Sequence, residues 1–204
     1  MKPIQLLLLA TIVFSFTISC SNQSDKAQGA SNQTNIANDT SKAPTTKIAQ
    51  KITPCLWVEK DAKAVADYYL SIFKEGKLKD YRQFKNMPKQ EGLNDPGYFE
   101  TAVLELQGME FSILAAGPLF KFNEAISLVI NCKDQTEVDY YWDALTKNGG
   151  EEGPCGWCKD KYGLSWQVVP VEYFELIHST DSTVRNKAMI NTFKQKKIIL
   201  SELK

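Results

Sequence analysis

"SLVINCKDQTEVDYYWDAL", residues 127–145, reads as a short apolar strand, a polar bend and an amphipathic helix, and the chain has already run through that pattern once. Asp67-Tyr68-Tyr69 precedes Asp139-Tyr140-Tyr141 by 139 − 67 = 72 residues, and the same offset lays Leu56-Trp57-Val58 on Leu128-Val129-Ile130. In the second copy Val138, Tyr141, Trp142 and Leu145 form one helical stripe, so Trp142 belongs to the core. Asp134 and Glu137 make a D-x-x-E start, and Asn148-Gly149-Gly150 stops the helix. In the first copy the stripe is Val65, Tyr69, Ile72 and Phe73, ending near Gly76.

Strands follow each helix. Lys77 to Phe84 alternates loosely; Phe99 to Gln107 and Met109 to Ala115 alternate well and meet at Gly108 as a hairpin. Lys85 to Gly97 is a polar loop with Pro88, Gly92 and Pro96. After the second helix, Pro154 to Lys159 and Leu164 to Val169 are strands around a Lys161-Tyr162-Gly163 turn. Each half therefore reads β-α-β-β-β. The expected architecture is α+β, two βαβββ modules with about eight strands curling around a shared cavity. Val184 to Lys204 reads as a C-terminal helix, its Lys194, Lys196 and Lys197 forming a solvated face.

The fold does not begin at the first residue. Residues 1–19 carry a basic start and a mostly apolar run too short to span a bilayer, which marks a signal peptide. Ser19-Cys20 resembles the processing site of a bacterial lipoprotein, implying a lipid on Cys20, although Thr17 stands where such signals usually carry Leu. Residues 20–50 are rich in Ser, Asn, Gln, Thr and Lys, bury too little to offset ordering entropy, and read as a disordered tether. Residues 51–204 then form one domain of a size that sustains its own core. The expected location is the bacterial cell envelope, with membrane contact only through the lipid anchor. Lysine plus arginine equals aspartate plus glutamate, 24 each, so no basic footprint points to nucleic acid.

"KITPCLWV" (51–58), "GPLFKFNEAISLVINCKDQTEVDYYWDAL" (117–145), "CGWCKDKYGLSWQVVP" (155–170) and "AMINTFKQKKIILSEL" (188–203) together resemble the PhnB-like branch of the vicinal-oxygen-chelate superfamily. That superfamily includes glyoxalase I, bleomycin-resistance proteins and extradiol dioxygenases, and the branch often carries a demethylubiquinone methyltransferase label. The resemblance implies paired βαβββ modules and a homodimer. Family members are mostly cytoplasmic, so the leader and tether depart from the pattern.

Catalytic members hold a divalent metal through His and Glu on the first and last strands of each module. Here those strands offer Thr53, Pro54 and Cys55; Glu110, Ser112, Ile113 and Leu114; Ala125, Ile126 and Ser127; and Gln167 where a liganding Glu falls. Only Cys55 and Glu110 are ordinary ligands, and the single histidine, His178, lies beyond the last strand. No metal and no cofactor are expected. A methyltransferase site on S-adenosylmethionine usually needs a glycine-rich turn after the first strand, whereas Val58 is followed by Glu59-Lys60-Asp61-Ala62.

The expected ligand-binding residues are Trp57, Phe122, Asn123, Ser127, Trp157, Asp160 and Gln167, suited to a small planar or amphiphilic molecule. Trp166 and Gln167 face opposite sides of a strand, and Gln167 is the inward one. The leading reading is a tethered binding or sequestering protein. The alternative is an enzyme of the same superfamily using Glu110 or Asp160 as a general base. Cys155 and Cys158 form a C-x-x-C, but with no helix following and an extended backbone they do not suit a thioredoxin-type dithiol. In the family the second position is usually apolar, so Cys158 stands in for a buried Leu-type side chain.

Overall fold

The computed structural model describes residues 50–88 and 97–204. The leader, Cys20, nearly all of the tether and most of the 85–97 loop lie outside the described residues. Among the described residues no helix is long and apolar enough to cross a membrane.

The first repeat folds as β1 (Cys55–Val58), α1 (Ala62–Ile72), β2 (Lys77–Phe84), β3 (Phe99–Leu106) and β4 (Met109–Ala115). The second gives β5 (Ser127–Cys132), α2 (Gln135–Thr146), β6 (Glu151–Glu152), β7 (Trp157–Lys159) and β8 (Ser165–Pro170). The two four-stranded sheets have the same strand order, β1-β4-β3-β2 and β5-β8-β7-β6. In each, the first strand runs parallel to the last and the other pairs are antiparallel. The repeat in the sequence is thus a repeat in topology.

Local chemistry explains the joints. Gln107 and Gly108 take φ of 49° and 78°, the left-handed pair that a tight hairpin between β3 and β4 requires. Asp61 caps α1 by accepting from Ala64 N at 2.9 Å. Asp134 caps α2 by accepting from Glu137 N at 2.9 Å, while the Glu137 carboxylate takes the amide of Lys133, one residue before the cap.

Strand alternation turns one face of each sheet inward. Leu56, Val58, Ala102, Leu104, Phe111 and Ile113 pack on Val65, Ala66, Tyr69 and Ile72 of α1. Cys132, Cys158, Trp166 and Val168 belong to the same core, with Val138, Trp142 and Leu145 of α2. The modules therefore meet through their helix-bearing sides. Phe73 lies 5.4 Å from Tyr141 and 5.5 Å from Trp166, ring to ring, and the Tyr140 hydroxyl donates to Ile72 O at 2.7 Å. This corrects the expectation that the sheets of one chain curl around a shared cavity. Within the chain they share a core, because the stripes of both helices are too apolar to face water, and the other face of each sheet lies outside it.

Two further expectations are corrected. The strand expected from Pro154 begins only at Trp157, because Cys155 and Gly156 take φ of 58° and 82° and close a turn from Trp157 N to Pro154 O at 3.0 Å. The C-x-x-C is therefore a turn leading into a strand, not an extended run. The C-terminal stretch is also not one helix. After a separate helix α3 (Val171–Ile177), it comprises α4 (Ser182–Thr192) and a 3-10 turn at Leu200–Glu202. Past Thr192 the apolar stripe lapses into lysines. The amides of Cys155 and Gly156 capture the carbonyls of Gln195 and Lys196 at 2.8 and 2.7 Å. That route lets Ile198 and Leu203 be fully buried.

Candidate functional site

Two rungs of polar and aromatic side chains cross the face of the second sheet that points away from the helices. Register places Ser127 beside Ser165 and Ser165 beside Lys159; one rung on, Val129 pairs with Gln167 and Gln167 with Trp157. Period-two alternation puts all six on one face. Gln167 Nε2 donates to Ser127 Oγ at 2.9 Å, fixing both side chains.

Beside these rungs lies a cavity of about 600 Å3. Trp157, Pro154 and Phe193 give it apolar walls, Ser165 lies in its lining, and Lys159 and Glu124 form an ion pair there. Phe193, 68% exposed, comes from the end of α4 and reaches the cavity because the helix breaks there. The Glu124 carboxylate beside it raises the Lys159 pKa, and the Lys159 ammonium holds Glu124 below the usual carboxylate range. Ser165 is only 1% exposed, and its hydroxyl has no hydrogen-bond partner among the described residues. A buried hydroxyl left unpaired costs about 1–3 kcal/mol, so a donor or acceptor brought to it has something to gain.

The expected binding residues fall in four places. Ser127, Trp157 and Gln167 share the face just described. Trp57 and Phe122 line a separate crevice of about 210 Å3 with Lys161 and Tyr162. Trp57 is held there by donating from Nε1 to Gly117 O at 2.8 Å and by an edge-on contact with Phe120 at 4.9 Å. Asn123 is exposed and its side chain closes a local turn onto Ala125 N at 2.9 Å. Asp160 is in the core between the modules, 2% exposed.

The buried carboxylate of Asp160 is saturated by protein donors. It accepts from Tyr69 OH at 2.8 Å, Trp166 Nε1 at 2.9 Å, Tyr162 N at 2.8 Å and Leu164 N at 3.2 Å. Burial pushes its pKa up and these four donors pull it back. Facing Tyr69 of α1, Asp160 joins the two modules rather than serving a ligand. Glu110 is engaged too, accepting from Lys79 Nζ at 2.6 Å on the first sheet. Neither carboxylate is poised as a general base for the cavity.

At the strand ends where the superfamily holds metal stand Cys55, Glu110 and Ser112 on the first sheet, and Ser127 with Gln167 on the second. Of these only the Cys55 thiol and the Glu110 carboxylate, which is paired with Lys79, are ordinary ligands, and with hydroxyls and an amide they do not make the set of imidazoles, carboxylates or thiolates that a divalent cation takes. Among the described residues no three His, Cys, Asp or Glu side chains gather as a metal site needs. His178 caps the C-terminal end of α3, its ring parallel to that of Phe174. Cys55, Cys132, Cys155 and Cys158 are free thiols. Cys158 is 3% exposed in the core, and burial pushes its thiol up to about 12.

Lys159, Ser165, Glu124 and Phe193 were not among the expected site residues. Counting by two from Trp157 reaches Lys159 and from Gln167 reaches Ser165, so strand alternation carried that signal. Glu124 and Phe193 arrive through a loop and a helix break that no periodicity marks.

A family model described as 3-demethylubiquinone-9 3-methyltransferase matches residues 50–169. The PhnB protein from Bacillus cereus is 28% identical, with 59% of this chain and 99% of that one covered at a TM-score of 0.49. Protein PA1353 from Pseudomonas aeruginosa is 19% identical over 60% of this chain and 98% of its own, with a TM-score of 0.47. The fosfomycin resistance protein FosX from Listeria monocytogenes is 15% identical over 68% and 98%, with a TM-score of 0.43. No curated protein matches the chain.

Proposed function

The chain belongs to the 3-demethylubiquinone-9 3-methyltransferase family, the PhnB-like branch of the vicinal-oxygen-chelate superfamily, and on that premise we propose that it binds or sequesters a small molecule without a resident metal. The observation that carries this reading is the cavity on the second sheet. It offers about 600 Å3 between Trp157 and Phe193, and its lining carries the Ser165 hydroxyl, the Lys159 ammonium and the carboxylates of Glu124, Glu151 and Glu152, with no imidazole among the described residues of the lining to complete a metal site. A site of that size suits a planar or amphiphilic molecule. The enzyme reading through Glu110 or Asp160 is disfavoured, since both are already engaged by protein donors.

In this reading residues 1–19 direct export and a lipid on Cys20 holds the protein at the cell envelope. Cys20→Ala then moves the protein out of the membrane fraction. The working unit is a homodimer, in which a second copy covers apolar residues left open near β4 and β5, Met109 at 47%, Ile126 at 74% and Val129 at 45% exposed. Light scattering of the purified protein checks the mass.

A melting-temperature screen against planar and amphiphilic compounds, paired with metal analysis, tests the central claim. Binding raises the melting temperature with no metal added. Stoichiometric zinc, iron or manganese in the purified protein would overturn it.

A further inference from the structure

The ligand class is legible in how the cavity uses its lysine. Among the described residues Lys159 is the one basic side chain in the lining, and it stands on β7, fixed by its pairing with β8. Its partner Glu124 comes from the segment between β4 and β5, which has no helix or strand, and its side chain is 63% exposed against 32% for Lys159. Lys159 is thus the fixed member of the pair and Glu124 the exchangeable one. An exposed ion pair of this kind contributes little, so displacing Glu124 costs little. Beside Lys159 in register is the buried, unpartnered hydroxyl of Ser165.

We propose, resting on the binding reading above, that this cavity selects molecules with an apolar, preferably aromatic, body and a single carboxylate, and that Glu124 is a built-in stand-in for that carboxylate. An incoming carboxylate takes the Lys159 ammonium as Glu124 swings out and accepts a hydrogen bond from the Ser165 hydroxyl, two charge-assisted contacts that stronger desolvation favours over the exposed pair. Its apolar body lies between Trp157 and Phe193. Glu151 and Glu152 also line the cavity, and Glu152 is paired with Lys196 at 3.4 Å. With Glu124 displaced and Glu152 balanced by Lys196, the Lys159 ammonium is already offset by Glu151, so the cavity has no surplus positive charge. A single negative charge is then the most that Lys159 can pair, and a second is repelled by Glu151, which separates a carboxylate from a phosphate dianion.

The test uses the full chain and four probes with one ring system: 2-naphthoate, 2-naphthamide, 2-naphthyl phosphate and 2-naphthylmethylamine. Affinity is read by titration, with melting temperature as the control for folding. The acid is expected to bind at least about tenfold more tightly than the amide, the phosphate or the amine, a margin worth about 1.4 kcal/mol. Lys159→Met should remove that margin, costing the acid at least about tenfold more affinity than it costs the amide. Glu124→Gln should tighten the acid by roughly threefold or more, because the competitor is gone, and Ser165→Ala should weaken it. Equal affinity for acid and amide, preference for the amine, or no gain in Glu124→Gln overturns the proposal while leaving the binding reading standing. Failure of all four probes and of the whole melting screen overturns both.

Discussion

On the first sheet, the face away from the helices is crossed by charge: Lys77, Lys79, Glu105 and Glu110 interlock, with Lys79 reaching Glu110 at 2.6 Å and Glu105 at 3.7 Å. On the second, the matching face carries serines, a glutamine, a tryptophan and one lysine. The backbone accounts for much of the difference. β2 and β3 are each eight residues long, whereas β6 and β7 have two and three. Full-length strands leave a surface that only needs solvating, and their facing Glu105 and Glu110 need Lys79 between them. Truncated strands leave a hollow, and the C-terminal arm walls it with Phe193. One topology used twice has thus become a solvated half and a receptive half.

The comparison breaks most severely where the halves are joined. Asp160→Ala strands four buried donors, Tyr69 OH, Trp166 Nε1 and the amides of Tyr162 and Leu164. The expected loss is about 4 kcal/mol, in the range for breaking a buried charged network. Tyr69→Phe removes one arm only and should cost about 1.5 kcal/mol. Urea unfolding followed by both tryptophan fluorescence and circular dichroism measures the loss. If the joint makes the modules cooperate, the wild type unfolds in one transition, and Asp160→Ala lets the two signals separate.

How much of this was legible follows from range along the chain. The repeat, both helices, the β3–β4 hairpin and the family rest on local periodicity and contiguous motifs, and those survived folding. The opposite orientations of Trp166 and Gln167 were legible for the same reason. Asp160 was misplaced because its partner Tyr69 is 91 residues away, and no local pattern links them. The split of Trp57 and Phe122 from Ser127 and Trp157 was hidden likewise, since it depends on which sides of the modules meet. The helix break after Thr192 is enforced by donors at Cys155 and Gly156, far upstream.

A second feature of the second half is its response to mild alkali. The buried thiols Cys132 and Cys158 both belong to the second module, and each is raised from 9.0 to about 12, by burial first. Between those limits the unfolded chain has released the protons that the folded chain still holds. Unfolding free energy therefore falls as pH rises through 9 toward 12, by about 1.4 kcal/mol per pH unit for each thiol. Cys158→Val, supplying an apolar side chain of similar size, should remove one thiol's share of that slope. Denaturation midpoints at pH 8, 9 and 10 measure it.

The charged face of the first sheet should be nearly silent by contrast. Lys79→Ala leaves Glu105 and Glu110 opposite each other but close to water, and the expected cost is small, shrinking in high salt as screening grows. It should not alter binding of any compound found in the melting screen. A larger effect of Lys79→Ala than of Lys159→Met on that binding would move the receptive face to the first sheet.

The smallest expected effect lies in the turn that cuts β7 short. Cys155 sits at φ of 58°, a conformation that costs a side chain with a Cβ about 1 kcal/mol and costs glycine almost nothing. Its neighbour Gly156, at φ of 82°, is different: an added Cβ would approach Ile198 Cγ1 and the Val168 carbonyl oxygen at 3.0 Å each. Cys155→Gly should therefore stabilise by about 0.5 kcal/mol, the relief of strain less the added freedom of the unfolded chain. Gly156→Ala should destabilise by about 1–2 kcal/mol, through backbone strain and a forced shift of the C-terminal arm. Opposite signs at adjacent residues would fix the turn as the device that shortens the strand. A destabilising Cys155→Gly would instead mean that the cysteine side chain contributes packing beside the cavity that outweighs the strain it bears.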